Sequence, residues 1–294
     1  MSTMYFAKLN FNSEIYKVYD DASLKGKLLN QIYQGLTEKI MHVENNEKYK
    51  FITLTKNPDD FWISGRLVLI TPGINTSYDE TSDDIVEELI DNKAAYVAFL
   101  FDLNKEEIAF VPKKDFGHNM FIREFKALLE LAVPDMEVEI YLEKNVNMLL
   151  QRMKQLALIQ QVQVHIVPPN GDKDDFDALF STGSDEIRET WATKFGISLV
   201  AAAKTGINAS SKYIRKLVAA VSKGYGKMEV IGKDVAGTRT KVTSDEDALY
   251  TKAIPDKDKD NLVEFPRYAR AGIVEMLESK STVEIATGNT GGKS

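Results

Sequence analysis

The chain has 294 residues with 37 basic and 44 acidic side chains, for a net charge of −7, and it contains no cysteine. The lack of cysteine excludes disulfides, thiolate zinc sites, iron–sulfur clusters and a cysteine nucleophile. At 44% hydrophobic residues, a chain of this length is expected to form about two globular domains. Neither a signal peptide nor an apolar run near the roughly 20 residues of a membrane span is present, so we expect a cytoplasmic protein without membrane insertion.

The first half alternates short apolar segments with helical patterns, which is typical of a mixed domain of helices and strands. Strands are predicted at residues 4–10, 48–55, 66–71, 95–102, 106–112, 137–142 and 160–167. Helical spacing of apolar residues predicts helices around Leu24 to Ile40, around Ile85, Leu89 and Ile90, and around Phe121 to Leu129. The short connection after Phe101 indicates a hairpin, so we expect a largely antiparallel sheet covered by helices.

A cluster of helix and strand breakers, Pro168-Pro169-Asn170-Gly171 followed by aspartates, indicates a domain boundary. The predicted organisation is a globular α/β domain over 1–168, a hinge over 169–183, a smaller α/β domain over 184–281 and a disordered tail over 282–294. The fold class is therefore α+β. We also expect ligand binding to change the orientation of the two domains at the hinge.

The basic segment, residues 204–241, reverses the charge of the chain. It holds nine basic and two acidic side chains, whereas residues 1–150 hold 16 basic and 25 acidic ones. Such polarisation is typical of a protein that binds a polyanion. We predict that nine side chains contact DNA: Lys204, Lys212, Arg215, Lys216, Lys223, Lys227, Lys233, Arg239 and Lys241.

The pattern within the basic segment predicts a helix followed by a hairpin. Asn208 or Ser210 is the expected N-cap, the helix reaches about Ser222, and Gly224 ends it in a left-handed turn. Apolar residues gather on one helix face and the cations on the other: Lys212, Arg215, Lys216 and Lys223. The hairpin carries Lys233, Arg239 and Lys241. A helix with a basic hairpin is the plan of winged-helix modules, so duplex DNA is the expected ligand.

Lysines outnumber arginines seven to two in this segment, which favours phosphate contacts over base reading and predicts weak sequence preference. Two other interpretations of the helix stay open. It is a solvated amphipathic surface helix, or it binds an anionic membrane surface, although its apolar face lacks the aromatic residues that favour insertion.

No catalytic motif, cofactor site or metal site is predicted, and the three histidines lack metal-ligand spacing. One enzymatic alternative is a metal-dependent nuclease that uses the carboxylates over residues 135–143, because Asp135, Glu137 and Glu139 alternate along a strand. A second alternative is a phage protein that captures and inhibits a host protein through its acidic first domain.

Three segments resemble the RexA family, the cytoplasmic DNA-binding members of phage-encoded exclusion pairs. They are the strand from Lys48 with its turn to Asn57, the hairpin of Val97 to Phe101 with Ile108 to Phe110, and the segment Val230 to Gly237. The resemblance implies a homodimer that binds double-stranded DNA and acts with a membrane protein partner in abortive infection. Kiwa, another antiviral defence system, also pairs a soluble DNA-binding protein with a membrane protein. The stretch from Asp245 onward departs from this pattern because it is acidic.

Overall fold

The computed structural model describes residues 1–170, 173–180, 184–202 and 204–288. Within these ranges the chain forms two antiparallel sheets with helices packed on them, so the predicted α+β class is confirmed. No helix among the described residues is both long enough and apolar enough to cross a bilayer.

The elements are named in chain order. The strands are β1 (Ser2–Phe11), β2 (Met41–Glu44), β3 (Glu47–Asn57), β4 (Trp62–Asp79), β5 (Asp84–Asp102), β6 (Glu107–Val111), β7 (Val138–Leu142), β8 (Leu158–Ile166), β9 (Phe195–Val200), β10 (Gly226–Lys233), β11 (Arg239–Thr243) and β12 (Thr251–Ile254). The helices are α1 (Ile15–Asp20), α2 (Ser23–Gly35), α3 (His118–Ala132), α4 (Val146–Lys154), α5 (Lys173–Phe180), α6 (Ser184–Glu189), α7 (Lys212–Ser222), α8 (Ser244–Asp247) and α9 (Glu264–Gly288).

The first sheet contains eight of these strands in the order β12-β1-β6-β5-β4-β3-β2, and β7 also pairs with β1. Two short strands pair with successive parts of one edge of β1. Met4 in its first half lies opposite Lys252 of β12, and Leu9 in its second half lies opposite Ile140 of β7. All pairings are antiparallel, and the hairpin predicted after Phe101 joins β5 to β6.

Both faces of the first sheet are covered, which explains its nearly continuous apolar strands. Phe99 on one face packs against Phe51 and Phe125 with ring centroids 5.2–5.4 Å apart, in the core under α1, α2 and α3. The next residue, Leu100, points to the other face and packs beneath α9. Alternation along a strand therefore supplies two hydrophobic layers from one run of apolar residues.

The second sheet is smaller, with the order β11-β10-β8-β9. One face packs against α4 and α7, where Val164, Leu217 and Val230 are buried in one cluster. The other face is open and carries polar and charged side chains. This sheet contains the predicted hairpin, since β10 pairs with β11 and Gly237 adopts a φ of +81° in the turn between them.

The division between the two sheets differs from the predicted domain boundary. Strand β8 lies before residue 168, yet it pairs with β9 and β10 of the second sheet. Conversely, β12 and α9, which the sequence assigned to the second domain, return to the first sheet. Helix α9 also continues to Gly288 across the start of the predicted disordered tail, and residues 289–294 lie outside the described residues.

The helix predicted around Ile85, Leu89 and Ile90 is wrong, because these residues lie in β5 and pair with β4. Ile85 stands opposite Tyr78, and Leu89 stands opposite Ile74. β-branched and aromatic residues favour such cross-strand pairs. Pairing with a segment that precedes it in the sequence therefore overrides the local helical spacing.

The predicted hinge falls partly on residues 171, 172 and 181–183, which lie outside the described residues. Its described part is anchored to the first sheet. The buried Asn170 side chain accepts a hydrogen bond from the Phe11 amide at 2.7 Å and donates to the Leu9 carbonyl at 2.6 Å and to Glu106 at 2.7 Å. In α5, Phe176 is buried in the core of the first sheet. Both anchors oppose free rotation at this segment.

Asn170→Ala is expected to lower the free energy of unfolding by about 3 kcal/mol, because it removes three buried hydrogen bonds and leaves their partners unsatisfied. Urea unfolding followed by circular dichroism measures the change. Asn104→Ala is the matched control, since Asn104 makes an exposed hydrogen bond to the Asp60 carbonyl at 3.1 Å. Equal losses in the two variants would contradict the anchoring role.

Candidate nucleic-acid interface

Helix α7 begins at Lys212 and is capped by Ser211, one residue after the later of the two predicted caps. The Ser211 hydroxyl accepts a hydrogen bond from the Ile214 amide at 3.3 Å. Asn208 instead accepts from the Ser210 amide at 2.9 Å and shapes the preceding turn. The predicted apolar face is confirmed, with four buried residues directed at the second sheet: Ile214, Leu217, Val218 and Val221.

Gly224 ends α7 with a φ of +81°, as predicted, and it also lies against the first sheet. A Cβ at this position would lie 2.7 Å from the Glu143 carboxylate and 2.8 Å from Lys8 Cβ. The Asn10 side chain donates to the Gly224 carbonyl at 2.9 Å. The C-terminal end of α7 is therefore held against the first sheet at a point that only glycine fits.

A buried charged cluster surrounds this point and joins β1, β6, β7 and α9. Lys8 Nζ lies 3.5 Å from Glu107 and 3.8 Å from Glu106, and Lys280 of α9 pairs with Glu143. Glu107 and Glu143 are fully buried. Because unpaired charges in such surroundings are costly, the lysines and carboxylates stabilise one another only in this arrangement.

The two central carboxyl groups have pKa values displaced in opposite directions. Burial, reinforced by the negative charge of Glu143, raises the pKa of Glu107 well above its usual range. Burial also acts to raise the pKa of Glu143, but the ammonium groups of Lys280 and Lys8 outweigh it and lower that pKa. We therefore assign the more tightly held proton of the pair to Glu107.

Lys144 extends the cluster toward the second sheet. It is buried, donates to the Leu142 carbonyl and pairs with Asp245 of α8 at 2.6 Å. Burial lowers the pKa of Lys144, and the charge of Asp245 opposes that shift. Since α8 packs against β10, this ion pair provides a second connection between the first sheet and the strand that carries part of the basic segment.

The nine predicted DNA-contacting residues do not form one face. Along β10, Met228 and Val230 point toward α7, whereas Lys227 and Lys233 point to the open face of the second sheet. The cations of α7 point away from that sheet on the opposite side. The cations of the helix and those of the hairpin are therefore separated, because α7 packs on the same sheet that the hairpin helps to build.

Five of the nine residues nevertheless lie at one end of the second sheet, with those of α7 on the helix-covered side and those of the hairpin on the open side. The chain reverses between α7 and β10, which pack together, so the start of α7 and the end of β10 lie at the same end. The loop before α7 joins them there, since the Ile207 amide donates to the Ile159 carbonyl at 2.7 Å and Leu158 pairs with Lys233. We name these exposed residues the basic rim: Lys204, Lys212, Arg215, Lys233 and Arg239.

The other four predicted residues lie elsewhere or are engaged. Lys216 and Lys223 are half-buried, line a cavity of about 100 Å³ with Tyr225, and have interaction partners within the chain. Lys241 pairs with Glu229 at 2.7 Å across the hairpin. Lys227 is exposed at the start of β10, at the end of the sheet opposite the basic rim.

The carboxylates proposed for a nuclease are dispersed. Glu139 is held by Lys126 at 2.8 Å and Lys194 at 2.7 Å. Burial acts to raise its pKa, but these two lysines lower it. Glu137 and Asp135 are exposed. Within the described ranges, no group of three histidine, aspartate or glutamate side chains is arranged to hold a metal ion.

The buried charged cluster was not predicted from the sequence. Its signal is weak but present, since Lys8 interrupts the apolar run of β1 and Glu107 opens the apolar strand β6. A charged side chain inside a buried strand indicates that an oppositely charged side chain lies next to it. The sequence pattern does not indicate that Lys280, more than a hundred residues later, is one of those partners.

The match to known families covers both sheets and the basic rim. A family model for a domain of unknown function, DUF4747, matches residues 5–270. The chain belongs to the DUF4747 family. No curated protein matches the chain. The family model names no ligand or reaction. The ligand of this protein is therefore inferred from its own geometry.

Glu107→Gln is expected to remove a decline in stability as pH rises. In the unfolded chain Glu107 loses its proton near its ordinary pKa of 4.5, while in the folded protein burial raises that pKa, so the proton is held to higher pH. Its contribution is therefore fully present at low pH and is lost as pH rises, by up to about 1.4 kcal/mol per pH unit. Urea unfolding between pH 5 and pH 8 should show the native chain falling relative to Glu107→Gln.

Glu186→Gln, at an exposed position of α6, is the matched control and should follow the native curve. Parallel pH curves for the native chain and Glu107→Gln would show that Glu107 is ionised in the folded protein. That result would contradict the proton assignment.

Proposed function

We propose that this DUF4747 member binds the phosphate backbone of double-stranded DNA at the basic rim and catalyses no reaction. The observation that supports the proposal is the placement of five exposed cations from separate segments at one end of the second sheet. The rest of the chain is strongly acidic. Such a field attracts a polyanion to the rim and repels it from the remaining surface.

The start of α7 adds to the positive potential of the rim. Its first turn contains no acidic residue, and Lys212 and Arg215 lie one turn apart on the exposed side. Helix N-termini present unpaired amide groups and the positive end of the helix dipole to anions. Like charges at this spacing repel each other, and a bound phosphate relieves the repulsion.

The composition of the rim supports weak sequence preference. Three of its five side chains are lysines, which contact phosphate as point charges, and its arginines come from α7 and β11. Tyr213 is an exposed aromatic residue close to the start of α7. This set suits backbone contact over base reading or the stacking of single strands.

The wider role that we propose follows from the resemblance to the RexA family. In it, the chain is a cytoplasmic homodimer that senses DNA during phage infection and signals to a membrane effector. Neither the fold nor the family match bears on these parts of the proposal. A small membrane protein encoded beside this chain would support them.

The DNA proposal predicts a steep dependence of affinity on salt. Engagement of five phosphates gives a slope near −4.5 in a plot of log affinity against log salt, or roughly 500-fold weaker binding at 200 mM than at 50 mM. Fluorescence anisotropy with a 30-base-pair duplex measures it. Lys212→Glu, Arg215→Glu and Arg239→Glu combined should abolish detectable binding, because they reverse three rim charges.

The matched control changes three exposed lysines outside the second sheet to glutamate: Lys27 in α2, and Lys39 and Lys114 in loops. Its net charge equals that of the rim variant, so a general electrostatic effect weakens both equally. Loss confined to the rim variant supports the proposal. Failure of the native chain to bind duplex DNA at 50 mM salt, or equal weakening in both variants, would overturn it.

A further inference from the structure

The outer parts of β4 and β5 form a two-stranded ribbon, which we name the arm, over residues 73–79 and 84–90. Cross-strand pairing continues to its tip, where Asp79 lies opposite Asp84. Seven residues at about 3.3 Å each give the arm a length of roughly 23 Å. Isolated two-stranded ribbons are marginally stable in water, so an arm of this length is expected to pack against another surface.

One face of the arm is apolar and uncovered. Ile74 pairs with Leu89 and Tyr78 pairs with Ile85, and these four side chains lie on the same face. Their exposed fractions are 50%, 84%, 61% and 63%, respectively. No described element of the chain covers this face. The pair formed by Thr76 and Glu87 lies between the two apolar pairs, so this face combines exposed apolar groups with a carboxylate. Exposed apolar groups clustered on one face mark interaction surfaces.

The arm, together with its turn and the residues at its base, is also strongly acidic. Residues 71–93 hold seven acidic side chains and one basic side chain, a net charge of −6. The basic segment over 204–241 has a net charge of +7. The two regions are therefore complementary, whereas two arms packed face to face would bring acidic groups together.

We propose that the arm docks on the basic rim of a second copy of this chain. The rim offers apolar as well as basic groups, since Val200 and Val235 are highly exposed there and Ile231 lies on the adjoining open sheet. An apolar and acidic arm thus meets an apolar and basic surface. A two-fold axis makes the contact twice, with each arm on the other copy's rim.

The consequence is that arm and DNA compete for the same cations. Docking of the arm covers Lys233 and Arg239, so the dimer holds the rim closed and a nucleic acid must displace the arm. The dimerisation itself does not depend on DNA binding, because it is measured without DNA. Failure to bind DNA therefore leaves it standing.

Sedimentation velocity from 1 to 100 µM protein, without DNA, tests the proposal. The native chain is expected to form a dimer that weakens as salt rises. Ile85→Ser with Leu89→Ser should weaken the dimer at least tenfold, because it removes half of the apolar face. Thermal unfolding of this variant checks that the fold is retained, which is expected because both positions are exposed.

Charge reversal tests whether the basic rim is the surface on which the arm docks. Glu80→Lys with Glu87→Lys should weaken the dimer at least tenfold, and Lys233→Glu with Arg239→Glu should do the same. Combining the four changes in one chain should restore association. Asp84→Lys with Glu88→Lys, on the opposite arm face, is the matched control and should weaken association less.

Restored association in the four-fold variant supports docking of arm on rim. A native chain that stays monomeric at 100 µM would overturn the proposal. So would a dimer that survives the arm changes, which would place the contact elsewhere. A dimer sensitive to the arm changes and insensitive to the rim changes would show arm-to-arm packing, which also overturns it.

Discussion

The buried charged cluster constrains how the two sheets of this protein are joined. Lys8, Glu107 and Glu143 lie where β1, β6, β7 and α9 meet, and Gly224 at the end of α7 lies against Lys8 and Glu143. Removing one partner of a buried ion pair such as Lys280 and Glu143 commonly costs about 3–5 kcal/mol, because the other charge is left without compensation. The cluster therefore fixes the end of α7 against the first sheet more specifically than apolar contacts alone would.

The position of the basic rim follows from that anchor. With its C-terminal end held at Gly224, α7 points its N-terminal end away from the first sheet, and β10 runs back alongside it. The loop of Lys204 and the end of β10 at Lys233 are thereby placed at the same outer end. The acidic arm, in turn, extends from the first sheet. The separation of opposite charges onto different parts of one chain is what gives both the DNA proposal and the dimer proposal their physical basis.

Local patterns predicted several elements whose partners are near in sequence. The hairpin after Phe101, the apolar face of α7 and the glycine turn at Gly224 were all correct, because periodicity and turn chemistry determine them. The boundary at residue 168 was not, because β8 finds its partner more than sixty residues later in β10. Long-range pairing leaves no local signal of this kind.

Local patterns likewise predicted only part of the candidate site. The nine cations were identified by composition, but their division between two faces depends on α7 packing on β10, which alternation alone does not indicate. Ile85 and Leu89 show the opposite error, since their helical spacing was real and cross-strand pairing overrode it. The charge count thus located the basic segment, and packing determined on which side of the second sheet each of its cations lies.

Hydrogen–deuterium exchange of the native chain, with and without a 30-base-pair duplex at 50 mM salt, tests directly whether DNA binds at the basic rim. Slower exchange is expected on DNA binding at the start of α7 and at the hairpin between β10 and β11, with the exchange of α3 unchanged. Protection confined to the first sheet, or no protection under conditions in which the duplex is bound, would contradict the assignment of the basic rim.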